Sequence, residues 1–490
     1  MLRARPSLEA LALVAYVALL VAGVVSWLEL SFGDDAAYWG AGQRLAHGDA
    51  SEWRIEWSPL YVSAYAALAK LPLPGHRMDW MHALCVLGST LALWWALRAR
   101  CAPHVALLLA GFWALLELPL RATGRVYVFD MALWSLAGGC FLRRRYLPAL
   151  ALMSLAAIDR RETGLWLLAL ALVVCRWRRA LPPWQRAAFV AAAAGVLVLP
   201  PLLGGGGRFW FAFSQHYALG AVERGLTDTN PWLDHEALRR AAFPTADSFI
   251  AAARENPGEV AAHVLHNLQA LPDATADAFF KPLRPQPIAR AVLMALLAGG
   301  LALAVWRRRR GLGFRDLADR HTLVFCAAAA APLAVVLVLY PRPALLTPLA
   351  CTPFVLIGTL LNVDGRTDRP RATALAAAAM LVFAALVPAP PRDPARLQRR
   401  RAVALLAERS AGRHGALLAV EALRWTQVAN RVDLEPLELS GDIDTRLGQR
   451  PALVLLDARD AGTRALLAAV AGAGYRRLGE DGPFTLWARD

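Results

Sequence analysis

A chain of 490 residues, of which 57% are apolar, with a positive mean hydropathy, is too apolar for one soluble domain and suits many membrane spans plus a smaller polar portion. The net charge of +15 comes almost wholly from arginine, since Lys70 and Lys281 are the only lysines. The arginines form short clusters between apolar runs and no single patch, which sets nucleic acid aside as a partner and points to membrane topology and anionic lipid headgroups.

The first apolar run, Ala10–Leu30, is longer than a signal-peptide core and no small-residue cleavage site closes it, so a retained span with a cytoplasmic N-terminus is expected. Directly after it comes Ser31–Trp39, with the adjacent carboxylates Asp34 and Asp35. Either can N-cap a helix in which Tyr38, Gly42, Leu45 and Ala46 share one face, predicting a helix along the bilayer surface. A cap with a solvated turn and a functional acidic pair are both open on this local pattern.

Further apolar runs follow at Trp80–Leu97, Val105–Leu120, Val126–Leu142, Tyr146–Ile158, Thr163–Cys175, Ala187–Leu203, Ile288–Trp306, Thr322–Tyr340, Ala344–Leu361 and Ala372–Val387. Together these predict a polytopic α-helical membrane protein with about eleven spans. Simple alternation puts the clusters Arg98/Arg100, Arg143–Arg145, Arg176–Arg179, Arg307–Arg310 and Arg366–Arg371 on the cytoplasmic side, as the positive-inside rule asks. It also requires Trp57–Leu71, short and flanked by Arg54, Glu56 and Lys70, to be an outer-surface helix and not a span. Residues 31–79 then form a first outer loop and 204–287 a long one, with Gly204–Gly207 as a hinge and a helix predicted over Pro257–Leu271.

Residues 391–490 read as a small extracytoplasmic α/β domain following a membrane portion of residues 1–390. Pro451–Asp457 is a candidate buried strand, Gly462–Ala473 a helix and Phe484–Ala488 a closing strand. The six cysteines lie in or beside apolar runs without C-x-x-C or histidine spacing, so they offer packing and no disulfide framework or zinc site.

Two charged features mark the outer side. Asp130 lies just inside the span that starts near Val126, after Arg121 and Arg125. An acid there faces a cavity or partner, or else snorkels or pairs with Arg125. The second is Asp159-Arg160-Arg161-Glu162, between two runs of thirteen residues each. Such a run covers roughly 20 Å of a core about 30 Å thick. Either the boundaries widen into a self-compensating turn, or the tip is recessed, where arginines suit a lipid-borne phosphate. Arg77, before the second span, and Arg342, in Tyr340-Pro341-Arg342-Pro343, each read as a snorkelling cation or a ligand. No P-loop, H-E-x-x-H, G-x-S-x-G elbow or glycine fingerprint is present in the sequence.

The acidic pair after the first span, the W-S-P-L-Y stretch from Trp57 to Tyr61, the outward Asp130 and the P-R-P-x-L-L-x-P run from Pro341 to Pro348 together resemble the GT-C glycosyltransferases. The nearest subgroup is that of the protein O-mannosyltransferases and lipid A aminoarabinose transferases, and the resemblance covers residues 1–390. It implies a hexosyl- or pentosyltransferase of the cell membrane, in an envelope with this as the inner membrane. Such an enzyme takes a monosaccharide from a polyprenyl-phosphate donor on the extracytoplasmic face and passes it to an envelope lipid, glycan or protein. By the same resemblance Asp34 is the catalytic acid, Asp35 the acidic residue that follows it and Asp130 the second functional aspartate. Arg161-Glu162 matches the basic-acidic pair between the fifth and sixth spans, and Arg342 the late basic residue. Trp57 and Ser58 stand where relatives often carry a lysine, so the donor phosphate is left to Arg54, Arg77, Arg160, Arg161 or Arg342. No cofactor is required, and a divalent cation is possible, as in some members. The alternatives are a transporter or flippase of a lipid-linked substrate, whose inverted repeats the sequence does not display, and a non-catalytic envelope assembly protein.

Overall fold

The computed structural model describes residues 8–25, 34–53, 58–74, 76–120, 125–176, 182–202, 207–231, 234–280, 320–361, 370–386 and 394–489, the last without 421, 430, 432, 440–442 and 459–462. The helical part contains α1 (Leu8–Val25), α2 (Asp34–Ala46), α3 (Pro59–Ala69), α4 (Arg77–Leu97), α5 (Pro103–Leu115), α6 (Arg125–Leu142), α7 (Tyr146–Asp159), α8 (Gly164–Arg176) and α9 (Pro183–Leu202). Then follow α10 (Gly207–Glu223), α11 (Pro257–Phe280), α12 (Arg320–Ala329), α13 (Leu333–Leu339), α14 (Cys351–Leu361) and α15 (Pro370–Leu386), with shorter helices between them. Among the described residues α4 alone is both long and apolar enough to cross a membrane by itself, while α1, α3, α5 to α8 and α15 contain shorter apolar stretches. The expected run Ile288–Trp306 and the hinge at Gly204–Gly206 lie outside the described residues.

The helices meet in one large apolar core that includes Tyr61, Tyr65, Trp113, Trp134, Phe141, Trp166 and Phe325. In this core Trp113 Nε1 donates to Ser89 Oγ at 3.0 Å and Trp134 Nε1 to Thr163 Oγ1 at 3.2 Å, which spares each buried donor the cost of standing unpaired. Five cysteines, Cys85, Cys101, Cys140, Cys326 and Cys351, are buried as free thiols, consistent with packing.

Two expectations for the outer loops change. The α2 helix does not lie with one face to solvent: Asp35, Ala36, Tyr38, Trp39, Ala41 and Gln43 are all buried, because α3 covers one side and the C-terminal domain the other. Gly42 permits the first contact, since a Cβ there would sit 2.5 Å from Tyr65 Cβ, and Gly40 the second, with Gln427 Cγ 2.6 Å away. The helix expected over Pro257–Leu271 runs on through Pro272 to Phe280. Near its start, His263 Nε2 meets the carbonyls of Leu339 and Val338 at 3.0 and 3.1 Å, and Asn267 Nδ2 donates to Leu337 O at 2.7 Å. These side chains close the last turn of α13, whose carbonyls have no partner of their own once the chain turns away at Tyr340-Pro341.

The C-terminal part holds α16 (Pro394–Arg409), β1 (Ala416–Ala419), α17 (Ala422–Val428), β2 (Glu435–Glu438), β3 (Leu453–Asp457), α18 (Thr463–Gly472), β4 (Tyr475–Asp481) and β5 (Phe484–Arg489). The strands form one sheet in the order β2-β1-β3-β5-β4. The β1 strand is parallel to β2 and β3, with Leu417 opposite Leu453, and β5 is antiparallel to both β3 and β4, with Leu455 opposite Leu486. This sheet domain is tied to the segment from α2 to the start of α4. Both Nη atoms of Arg400 reach the Asp79 carboxylate at 2.8 Å, Gln43 Nε2 donates to Gln427 O at 3.1 Å, and His76 Nε2 lies 2.7 Å from Val428 O.

Candidate active site

Helix length places the charged tip. The tight turn at Arg143–Arg145, with Arg144 at φ 62°, sends α7 back along α6. The 14 residues of α7 rise about 21 Å and the 18 of α6 about 27 Å, so α7 ends roughly one turn short of the start of α6. That is the level of Asp130. Asp159 and Arg160 therefore arrive beside it inside the protein, and all three are buried, Asp130 completely. The chain then makes one 3-10 turn over Arg161–Thr163 and enters α8.

Around this tip the charges interlock. Arg160 Nε and Nη2 donate to Glu162 Oε1 at 2.8 and 2.5 Å, Nε lies 3.8 Å from Asp130 Oδ2, and the guanidinium covers the Tyr127 ring at 4.4 Å. Asp159 Oδ1 accepts the backbone N–H groups of Leu60 and Tyr61 at 2.8 and 3.3 Å. It thereby supplies the cap that Ser58, at φ 46° and without a side-chain bond, does not give α3. A carboxylate at the positive end of a helix, paired with otherwise free N–H groups, is favoured on both counts.

The same helix carries Tyr61, whose hydroxyl donates to Asp35 Oδ1 at 3.1 Å and whose ring meets Tyr38 edge to face with centroids 5.3 Å apart. Asp34 stands exposed at the first helical position of α2 while Asp35 is buried.

The structure brings together Asp35, Tyr61, Asp130, Arg160 and Glu162 of the residues expected from sequence, with Asp34 at the margin. Arg77 belongs elsewhere, at the junction with the C-terminal domain. Arg342 follows Tyr340, which stacks on His216 at 6.0 Å, and its charge acts on that histidine. Arg54, Trp57 and the side chain of Arg161 lie outside the described residues. Sequence reasoning passed over Asp159 as a site residue. Its signal was present in the shortness of the two flanking runs, but its partners are backbone groups about a hundred positions away.

Chemically the cluster is rich in acid. Among the described residues, Asp130, Asp159 and Glu162 gather around the guanidinium of Arg160, and Asp35 is linked to them through Tyr61. Neither Asp130 oxygen has a hydrogen-bond donor among the described residues, and closely set carboxyl groups of this kind can share a proton. Among the described residues no group of three or more His, Cys, Asp or Glu side chains is arranged to hold a metal ion.

No protein-family model matches the sequence, and no curated protein matches it. Solved structures with a similar course of the chain include ArnT from Cupriavidus metallidurans bound to undecaprenyl phosphate, at 12% identity and a TM-score of 0.41, covering 98% of this chain and 97% of that one. ArnT in the apo state is similar at 13% identity and a TM-score of 0.39 over the same shares. The apo oligosaccharyltransferase of Archaeoglobus fulgidus gives 13% identity and a TM-score of 0.45, covering 98% of this chain and 74% of that one. At these scores the likeness bears on neither activity nor substrate.

Proposed function

We propose that this chain is a membrane glycosyltransferase that moves a monosaccharide from a polyprenyl-phosphate donor to an envelope acceptor on the extracytoplasmic face. The observation that carries the reading is the convergence of Asp35, Tyr61, Asp130 and Asp159 beside exposed Asp34. This buried acidic cluster lies on the elements whose sequence motifs resemble those of the GT-C enzymes.

The reaction is a single displacement. Asp34 takes the proton from an acceptor hydroxyl or amine as that atom bonds to the anomeric carbon, and the bond from this carbon to the phosphate oxygen breaks with its electron pair leaving on polyprenyl phosphate. Asp35, held by Tyr61, orients the base, and the surrounding carboxylates favour the positive charge that builds on the sugar ring. Arg160 is already engaged by Glu162 and Tyr127, so the phosphate falls to the adjacent Arg161, with Arg342 and Arg54 as the other basic candidates. The displacement as written uses no metal, and turnover in EDTA against turnover with added magnesium tests that.

The test of the function is direct. Purified protein in nanodiscs is given a polyprenyl-phosphate monosaccharide and an extract of envelope glycolipids and glycoproteins, and mass spectrometry follows the sugar. Transfer with release of polyprenyl phosphate is expected; passage of intact donor across the bilayer without cleavage would make the chain a flippase.

A further inference from the structure

The α2 helix carries the acidic pair in its first turn, yet it is poorly equipped to hold that turn in place by itself. It has 13 residues, a marginal length for an isolated helix, and Gly40 and Gly42 inside it are weak helix formers. Two residues apart is about 200° around the axis, so the two glycines open opposite sides of the helix. Tyr65 of α3 fills the space at Gly42, and Gln427 of α17 fills the space at Gly40. Packing from both sides, and not propensity, sets where α2 lies.

The hold from the C-terminal side is specific. Gln43 Nε2 donates to Gln427 O. His76 Nδ1 accepts the Met78 N–H at 3.2 Å, which leaves the ring hydrogen on Nε2 to donate to Val428 O. Residues 427 and 428 are the last two of α17, where carbonyls have no helical partner of their own. The segment from α2 to α4 therefore completes the end of the helix that presses on it. Gln43 and Gln427 are both buried, and Trp39 and Met78 share one apolar core with Trp425 and Val428. The Gln427 side chain is itself fixed, its Oε1 accepting from Arg424 Nη1 at 3.3 Å.

We propose that Gln427 is a positioning residue for the acidic pair: together with α3 it fixes the turn that carries Asp34 and Asp35, from roughly 8 Å along the axis, and it stays seated through turnover. The proposal rests on the glycosyl-transfer reading above, so hydrogen exchange of the α2 amides is read beside turnover, both on the full chain in nanodiscs. Gln427→Ala is expected to speed that exchange roughly 10-fold and to lower kcat roughly 10- to 100-fold with the donor KM unchanged, the scale of a slightly misplaced group. Gln427→Met keeps a Cγ against Gly40 and should match the wild type in both. A Cβ at position 40 falls 2.6 Å from Gln427 Cγ, so Gly40→Cys with Gln427→Cys sets two thiols within bridging reach. The bridged protein should exchange and turn over as the wild type does, and reduction should bring it to the level of Gln427→Ala. Wild-type exchange or wild-type kcat in Gln427→Ala, or an equal loss in Gln427→Met, would overturn the proposal. So would a bridged protein that is inactive until reduced, because the domain would then have to move during turnover. Faster α2 exchange in Gln427→Ala, in a protein whose wild type never cleaves a polyprenyl-phosphate sugar, would uphold the hold on α2 and overturn the transfer reading.

Discussion

The tip of α7 and the junction of α11 with α13 are both polar and both buried, yet they are built in opposite ways. At the junction His263 and Asn267 are neutral groups that close the carbonyls of a helix end, and burial pushes the His263 imidazole down to about 4 so that it stays uncharged. At the tip the groups are ionisable acids, and Arg160 is the one described guanidinium among them. The neutral caps complete a backbone without bringing charge together, whereas the clustered acids set like charges side by side with oxygens that a proton or a substrate can answer. The difference separates a structural polar cluster from one disposed to do chemistry.

Removing the counter-charge should break the tip most severely. Arg160→Gln leaves Glu162 and Asp130 without their cation, and loss of one partner of a buried pair costs about 3–5 kcal/mol. A large fall in melting temperature in detergent is expected, and wild-type melting would mean that the acids are held neutral without Arg160.

The junction should instead respond to pH. The folded-state pKa of His263 lies below the ordinary 6.5, so between pH 6.5 and about 4 the unfolded chain binds the extra proton. Stability from this group is full above 6.5 and is lost as pH falls toward 4, by roughly 3 kcal/mol at most. Hydrogen exchange of α11 and α13 should show it, and His263→Gln should flatten the profile. A profile unchanged by that substitution would assign the acid sensitivity to another group, His216 being the neighbour held down to about 3 mainly by burial and then by Arg342.

A smaller effect tests the cap that the tip supplies to α3. Asp159→Ala should cost about 1–2 kcal/mol, and Asp159→Asn less, because an amide oxygen still accepts from Leu60 and Tyr61. Equal losses in thermal unfolding would show that the charge, and not the cap, is what α3 needs.

The charged tip was legible in sequence because two thirteen-residue runs are too short to carry it to the surface, and the helices over α4 to α8 were legible from apolar run length. The core of the C-terminal sheet was visible at β3, α18 and β5, where the apolar pattern is continuous; β1, β2 and β4 are short or mixed and carry little pattern. Contacts that organise the site were hidden for a different reason. Asp159 meets backbone N–H groups of α3, and Gln43 and His76 meet backbone carbonyls of residues 427 and 428. Every residue offers such groups, so no side-chain motif announces them. For the same reason α2 read as a surface helix, when a domain from the other end of the chain covers it.

Asp34 and Asp35, at the start of α2, carry the proposed chemistry. Asp34→Asn keeps the size and much of the hydrogen bonding of the side chain but removes the basic oxygen. Transfer from a polyprenyl-phosphate sugar by the purified variant should fall roughly 100- to 10,000-fold, the range for a positioned proton acceptor, with donor binding and melting unchanged. Asp35→Asn should cost less and Asp130→Asn an intermediate amount. An Asp34→Asn protein that melts and turns over donor as the wild type does would contradict the catalytic assignment.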